Sequence, residues 1–172
     1  MSTIAADHIA SVSLKEADRD PDAFAQKLGR SFEEYGFAII ADHGIPDPLI
    51  REAEEKSKAF FVLPDEVKRK YLVEGGGGQR GYTPFGIETA KGYTAHDLKE
   101  FWHVGRDLPP GHRFRDHMAD NVWPDPELAE FHEKVQWLYS ALDAMGLKVL
   151  EAISTYLGLD RHFFDDKVDV GN

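Results

Sequence analysis

The stretch Gly36-Phe37-Ala38-Ile39-Ile40-Ala41-Asp42-His43-Gly44-Ile45-Pro46 is the one that most constrains the fold. Its apolar run, Phe37 to Ala41, is too short for a helix and reads as a fully buried strand. Gly36 closes what precedes it, and Gly44 with Pro46 ends it. Helical patterns stand on both sides. Upstream, Asp20-Pro21 is a helix start, with Asp as cap and Pro at the first helical position. Phe24, Leu28, Phe32 and Tyr35 follow at helical spacing, and Gly36 stands where a left-handed terminal residue belongs. Downstream, Asp47-Pro48 repeats the start signal, and Ile50, Ala53, Ser57 and Phe60 share one face. The predicted order is helix 21–35, buried strand, helix.

Around this unit the rest is read in order. Residues 1–8 are expected to fray. Ile9 to Leu14 alternates weakly and suits an edge strand, and Lys15 to Arg19 is charged and solvated. Pro64 disfavours helical geometry at Leu63 and so ends the second helix, and 65–70 can form a further short one. Gly75 to Gly78 reads as a mobile loop; it lacks the Lys-Ser or Lys-Thr that a phosphate cradle needs. Asp107 to Asp120 reads as a surface loop. Beyond Asp125-Pro126 the period is strongest: Leu128, Phe131, Val135, Leu138, Leu142, Met145, Val149, Ile153 and Tyr156 step by threes and fours. This predicts one long helix over 126–157, stopped by Gly158. Val168 to Asn172 alternates like a strand that has just begun. With no repeat and no shift in composition, residues 1–172 read as a single helix-rich α+β domain. Its few strands are too scattered to close a sheet. Open edges are a liability, so either helices cover them or the sheet continues in something outside this chain.

Composition narrows the chemistry. The chain has no Cys, which excludes disulfides, zinc–thiolate sites, iron–sulfur clusters and thiol nucleophiles. A formal charge of -11, from 31 acidic against 20 basic residues, repels nucleic acid and anionic membrane surfaces. No signal peptide or spanning run is visible, so a soluble, cytoplasmic protein is expected. Any metal site must come from His and carboxylates. His132-Glu133 begins a zinc-protease motif, but no second His stands at the required offset. A non-haem iron site needs two His and one carboxylate, and none of the eight His has an acid two residues later. If residues 96–103 were helical, His96, Glu100 and His103 would share a face, but the interleaved Leu98, Phe101, Trp102 and Val104 argue for packing. His43 reads as a residue that bonds loop backbone. No nucleophile elbow or dinucleotide fingerprint is present. Taken by themselves, the residues specify a mostly helical domain with no catalytic constellation.

Five short segments, in order, resemble signatures of the isopenicillin N synthase-like 2-oxoglutarate/Fe(II)-dependent dioxygenases. Gly36 to Pro46 is similar to that family's "G-F-F…N-H-G-(I/V)", with Asp42 in place of the usual Asn. Phe60-Phe61-Val62-Leu63-Pro64 with Glu66 and Lys68 resembles "F-F-x-L-P-x-E-x-K". Gly81-Tyr82-Thr83-Pro84 resembles "G-Y-x-P", Asp97 to Phe101 resembles "D-x-K-E-x-(F/W)", and Asn121 to Pro124 resembles "N-x-W-P". The resemblance implies the N-terminal portion of such an enzyme, normally packed on a double-stranded β-helix (jelly-roll) core. It implies Fe(II) and 2-oxoglutarate as cofactors, whose His-x-Asp, distant His and Arg-x-Ser have no counterparts here, so no catalytic or metal-ligating residue is assigned. The expected activity is hydroxylation or desaturation of a small molecule, this segment buttressing the core and reaching the substrate entrance. Tyr82, Thr83 and Phe85 are the candidate substrate-binding residues. A non-catalytic interaction or regulatory module is the alternative; a hydrolase using His96, Glu100 and His103 ranks behind both.

Overall fold

The structure, a computed structural model, describes residues 9–168. The expectations for residues 1–8 and for a strand over 169–172 lie outside the described residues; Val168 itself ends a short helix, Asp165–Val168. The described residues fall into two compact units, 9–45 with 141–168, and 46–140.

The first unit opens with β1 (Ser11–Ser13) and α1 (Leu14–Ala17), followed by α2 (Pro21–Tyr35) and β2 (Ile39–Ala41). Helix α2 has the predicted bounds, for the predicted reasons. The Asp20 carboxylate accepts from the Ala23 N–H at 3.0 Å, Pro21 opens the first turn, and Gly36 ends the helix at φ 79° with its N–H on the Phe32 carbonyl at 2.9 Å. Strands β1 and β2 run parallel, with Val12 opposite Ile40. Lys15 and Glu16, expected in a solvated stretch, lie in α1 because buried Leu14 anchors that turn to the core.

Strand β2 is not the fully buried element its sequence suggests. Phe37 is 52 % and Ile39 45 % exposed. Side chains alternate along a strand, so Ile40 faces the core of Val12, Leu14, Phe24 and Leu28 while Ile39 points away. After β2, Asp42 adopts φ 52°, and its carboxylate accepts from Ser13 Oγ at 2.6 Å and Lys15 Nζ at 3.1 Å. These bonds, that from Ser13 foremost, favour the ionised carboxylate and hold its pKa below the ordinary carboxylate value. His43 Nδ1 accepts from the Ile45 N–H at 3.1 Å, the backbone-bonding role expected of it.

The second unit contains α3 (Asp47–Phe61), α4 (Asp65–Lys68) with a 3-10 turn over Arg69–Tyr71, and the antiparallel pair β3 (Gly81–Thr83) and β4 (Phe101–His103). Its core is aromatic: Phe60, Tyr82 and Phe131, with Tyr71, Trp102 and Trp123 against them. The long helix, α5, runs from Phe131 to Tyr156 and starts later than the predicted 126. Glu130 has φ 67°, which a right-handed helix cannot include, so residues 125–130 form turns and Leu128 packs on the aromatic core instead. Among the described residues, no helix is long and apolar enough to cross a membrane.

In the first unit α5 lies so close to α2 that Gly29 has no room for a side chain; a Cβ there would overlap the ring of Tyr156. Gly29→Ala should therefore destabilise the fold by about 1–3 kcal/mol through overpacking, despite the roughly 1 kcal/mol by which alanine favours a helix over glycine. The measurement is the urea midpoint; an unchanged or higher midpoint would contradict the close approach.

Candidate functional site

Three residues from separate parts of the second unit meet at one carboxylate. Lys68 ends α4, Tyr82 is the middle of β3, and Glu100 directly precedes β4. Lys68 Nζ donates to Glu100 Oε2 at 2.6 Å and reaches the Phe61 carbonyl at 3.4 Å. The Tyr82 hydroxyl donates to the same Oε2 at 2.5 Å. The ammonium also stands 5.5 Å from the Tyr82 ring centroid. The ion pair is nearly dry, with side chains 8 % and 14 % exposed. Such a charge must be paired and hydrogen-bonded to be tolerated, and here the carboxylate takes two donors.

The apolar frame explains why the ion pair is dry. Phe60 sits edge-on to Tyr82 at 5.6 Å and to Trp102 at 4.6 Å between ring centroids, and Trp102 meets Phe131 at 5.3 Å. Burial, then the bond to Glu100, pushes the Tyr82 hydroxyl well above the ordinary tyrosine value, so it stays protonated and acts as a donor. Beside it, Tyr71 donates its hydroxyl to Glu127, which also accepts from Lys70 at 3.1 Å. Burial and that bond raise Tyr71 to about 12.

The "N-x-W-P" segment is a clasp. Asn121 Oδ1 accepts from the Gly105 N–H at 2.9 Å, while its Nδ2 donates to the Gly105 carbonyl at 2.8 Å and to Asp107 at 2.7 Å. Trp123 stacks on His132 at 4.2 Å, which accounts for that histidine.

The candidate residues are split by the structure. Tyr82 and Thr83 are buried in β3, whereas Phe85 is 54 % exposed. Thr83 Oγ1 is buried with no hydrogen-bond partner. The connection from β3 to β4 also exposes Ile87, Tyr93 and Leu98. His96, Glu100 and His103 do not share a face. Residues 101–103 are strand, and the three side chains take three separate partners: Thr89 at 3.0 Å for His96, the Lys68–Tyr82 pair for Glu100, and the Gly78 carbonyl for His103. That last bond also ties down the glycine tract that reads as free in sequence. Among the described residues, no group of three His or carboxylates is placed to hold a metal ion. Sequence reading did not find the Lys68–Glu100 pair; its one signal was a Lys and a Glu standing beside large apolar neighbours in separate motifs.

Two outcomes follow from this geometry. Lys68→Met leaves Glu100 dry and without its counter-ion, and should cost about 3–5 kcal/mol, whereas adding Glu100→Gln should recover much of the loss; equal urea midpoints for the single and double variants would refute the pairing. For Tyr71, a pKa raised above the unfolded value means that its contribution is complete below pH about 10 and is lost as pH rises towards about 12. Tyr71→Phe should flatten stability against pH in that window, as followed by chemical denaturation; an unchanged alkaline slope would contradict it.

A family model described as the non-haem dioxygenase in morphine synthesis N-terminal region matches residues 9–126. Proline hydroxylase buaE of Petromyces alliaceus is 32% identical over 157 residues, which are 88% of this chain and 47% of that protein. The 2-oxoglutarate-dependent dioxygenase traH of Penicillium crustosum is 35% identical over 139 residues, 77% of this chain and 42% of its own. The crystal structure of a 2OG-Fe(II) oxygenase family protein from Caulobacter crescentus has a TM-score of 0.86 and 56% identity, covering 96% of this chain and 53% of that one. A full-length Neurospora crassa protein, solved in complex with alpha-KG, shares the fold at TM-score 0.78 and 24% identity, over 97% of this chain and 53% of that one. The chain thus spans about half the length of the relatives it matches. The family uses Fe(II) and 2-oxoglutarate, and the described residues do not by themselves fit an iron centre. On the match over residues 9–126, the chain belongs to the 2-oxoglutarate/Fe(II)-dependent dioxygenase family and spans the N-terminal portion of its members.

Proposed function

We propose that this chain is the N-terminal part of a cytoplasmic Fe(II)- and 2-oxoglutarate-dependent oxidoreductase that hydroxylates or desaturates a small molecule. It buttresses a jelly-roll core that supplies the iron ligands and the 2-oxoglutarate site, and it contributes to the substrate entrance. The observation that carries this reading is the family match across 9–126, the stretch in which three motif residues, Lys68, Tyr82 and Glu100, close on one carboxylate. Tyr82, Thr83 and Phe85 are assigned to the substrate side with different tasks. Buried Tyr82 fixes β3, Thr83 offers an unpartnered hydroxyl, and exposed Phe85 offers an apolar surface.

The test begins with the coding DNA beyond codon 172. A frame encoding His-x-Asp and a later His is expected; its absence would overturn the reading and leave a non-catalytic interaction module as its replacement. In the whole protein, Phe85→Ala should raise KM for the small-molecule substrate about tenfold, the equivalent of about 1.4 kcal/mol, with kcat changed little. Steady-state succinate formation is the assay, and an unchanged KM removes Phe85 from the entrance.

A further inference from the structure

In this acidic chain, Arg80 makes no ion pair among the described residues. Its guanidinium lies against the backbone of Gly105, where a Cβ would overlap Cζ and Nη2. Nη1 donates to the Gln79 carbonyl at 2.7 Å, while Nε is buried with no partner. The floor beneath it is rigid, because Asn121 holds Gly105 by both its N–H and its carbonyl. A half-buried cation is thus fixed with no counter-ion among the described residues, a costly arrangement unless something else neutralises the charge.

An open pocket lies beside this cation, lined by Gln79, Arg80, His103, Val104 and Met118. The Gly78 carbonyl can only accept, so His103 Nδ1 carries a proton and Nε2 is the free ring nitrogen. One guanidinium, one imidazole and one amide stand against two apolar side chains. A planar guanidinium matches a carboxylate through parallel N–H donors. A single fixed positive charge suits a monoanion, Val104 and Met118 suit an apolar body, and the net charge of -11 disfavours polyanions. We propose that this pocket binds the carboxylate of a small molecule with an apolar body, its carboxylate on Arg80 and its body on Val104 and Met118. The proposal goes beyond the oxygenase reading and does not depend on it.

The probe is hexanoate, titrated into the full chain and followed by NMR at the Gly105 amide and the His103 ring. Saturable shifts at both are expected, with hexan-1-ol giving none. Arg80→Gln should weaken binding about tenfold or more, a loss of about 1.4 kcal/mol. Gly105→Ala keeps every charge but displaces the guanidinium, and should weaken binding comparably; it carries the test if Arg80→Gln does not fold, with near-UV circular dichroism reporting folding. The proposal is overturned if hexanoate gives no saturable shift, if the alcohol binds as well, if inorganic phosphate binds more tightly, or if a folded Gly105→Ala retains full affinity.

Discussion

The Glu100 carboxylate is the point on which the second unit depends. It takes the Lys68 ammonium at 2.6 Å and the Tyr82 hydroxyl at 2.5 Å, and so joins α4, β3 and the start of β4. Strands β3 and β4 are three residues each, and a lone two-stranded ribbon is marginal in water. Here it is held by aromatic packing and by a dry ion pair that meet at Tyr82. Neither suffices alone. The rings exclude the water that would weaken the ion pair, and the ion pair satisfies the polar groups that the rings would otherwise strand.

The first unit faces a different constraint. Its parallel strands β1 and β2 have one covered face, toward Phe24 and Leu28, while Phe37 and Ile39 remain exposed. Parallel strands are ordinarily covered on both faces. Under the proposed function, a jelly-roll core would cover what is open here, in keeping with relatives about twice as long as this chain.

What could be read directly was what neighbouring residues decide. Helix α2 was legible to the residue because its stop and start are local: Asp20 caps, Pro21 fits the first turn, and Gly36 reaches a left-handed φ. The start of α5 was not, because Pro126 looked like a first helical residue while Glu130, at φ 67°, bends the chain so that Leu128 can reach the aromatic core. Strand β2 was placed correctly but credited with too much burial. An apolar run says that a segment can be covered, and only its neighbours say on how many faces. The candidate site was legible as motifs. Lys68, Tyr82 and Glu100 each lay within a quoted segment, yet nothing local says that residues 18 and 32 positions apart share one oxygen.

By itself the sequence determined the helix-rich class, the caps of α2, the absence of thiol chemistry and the order of the family's segments. These rest on short-range sterics, hydrogen bonds and composition, which act before the chain is folded. Tertiary structure decided which charges go dry, which of Tyr82, Thr83 and Phe85 reaches solvent, and that His96, Glu100 and His103 part company. Those outcomes depend on desolvation and pairing between distant residues, and these exist only once the chain has packed.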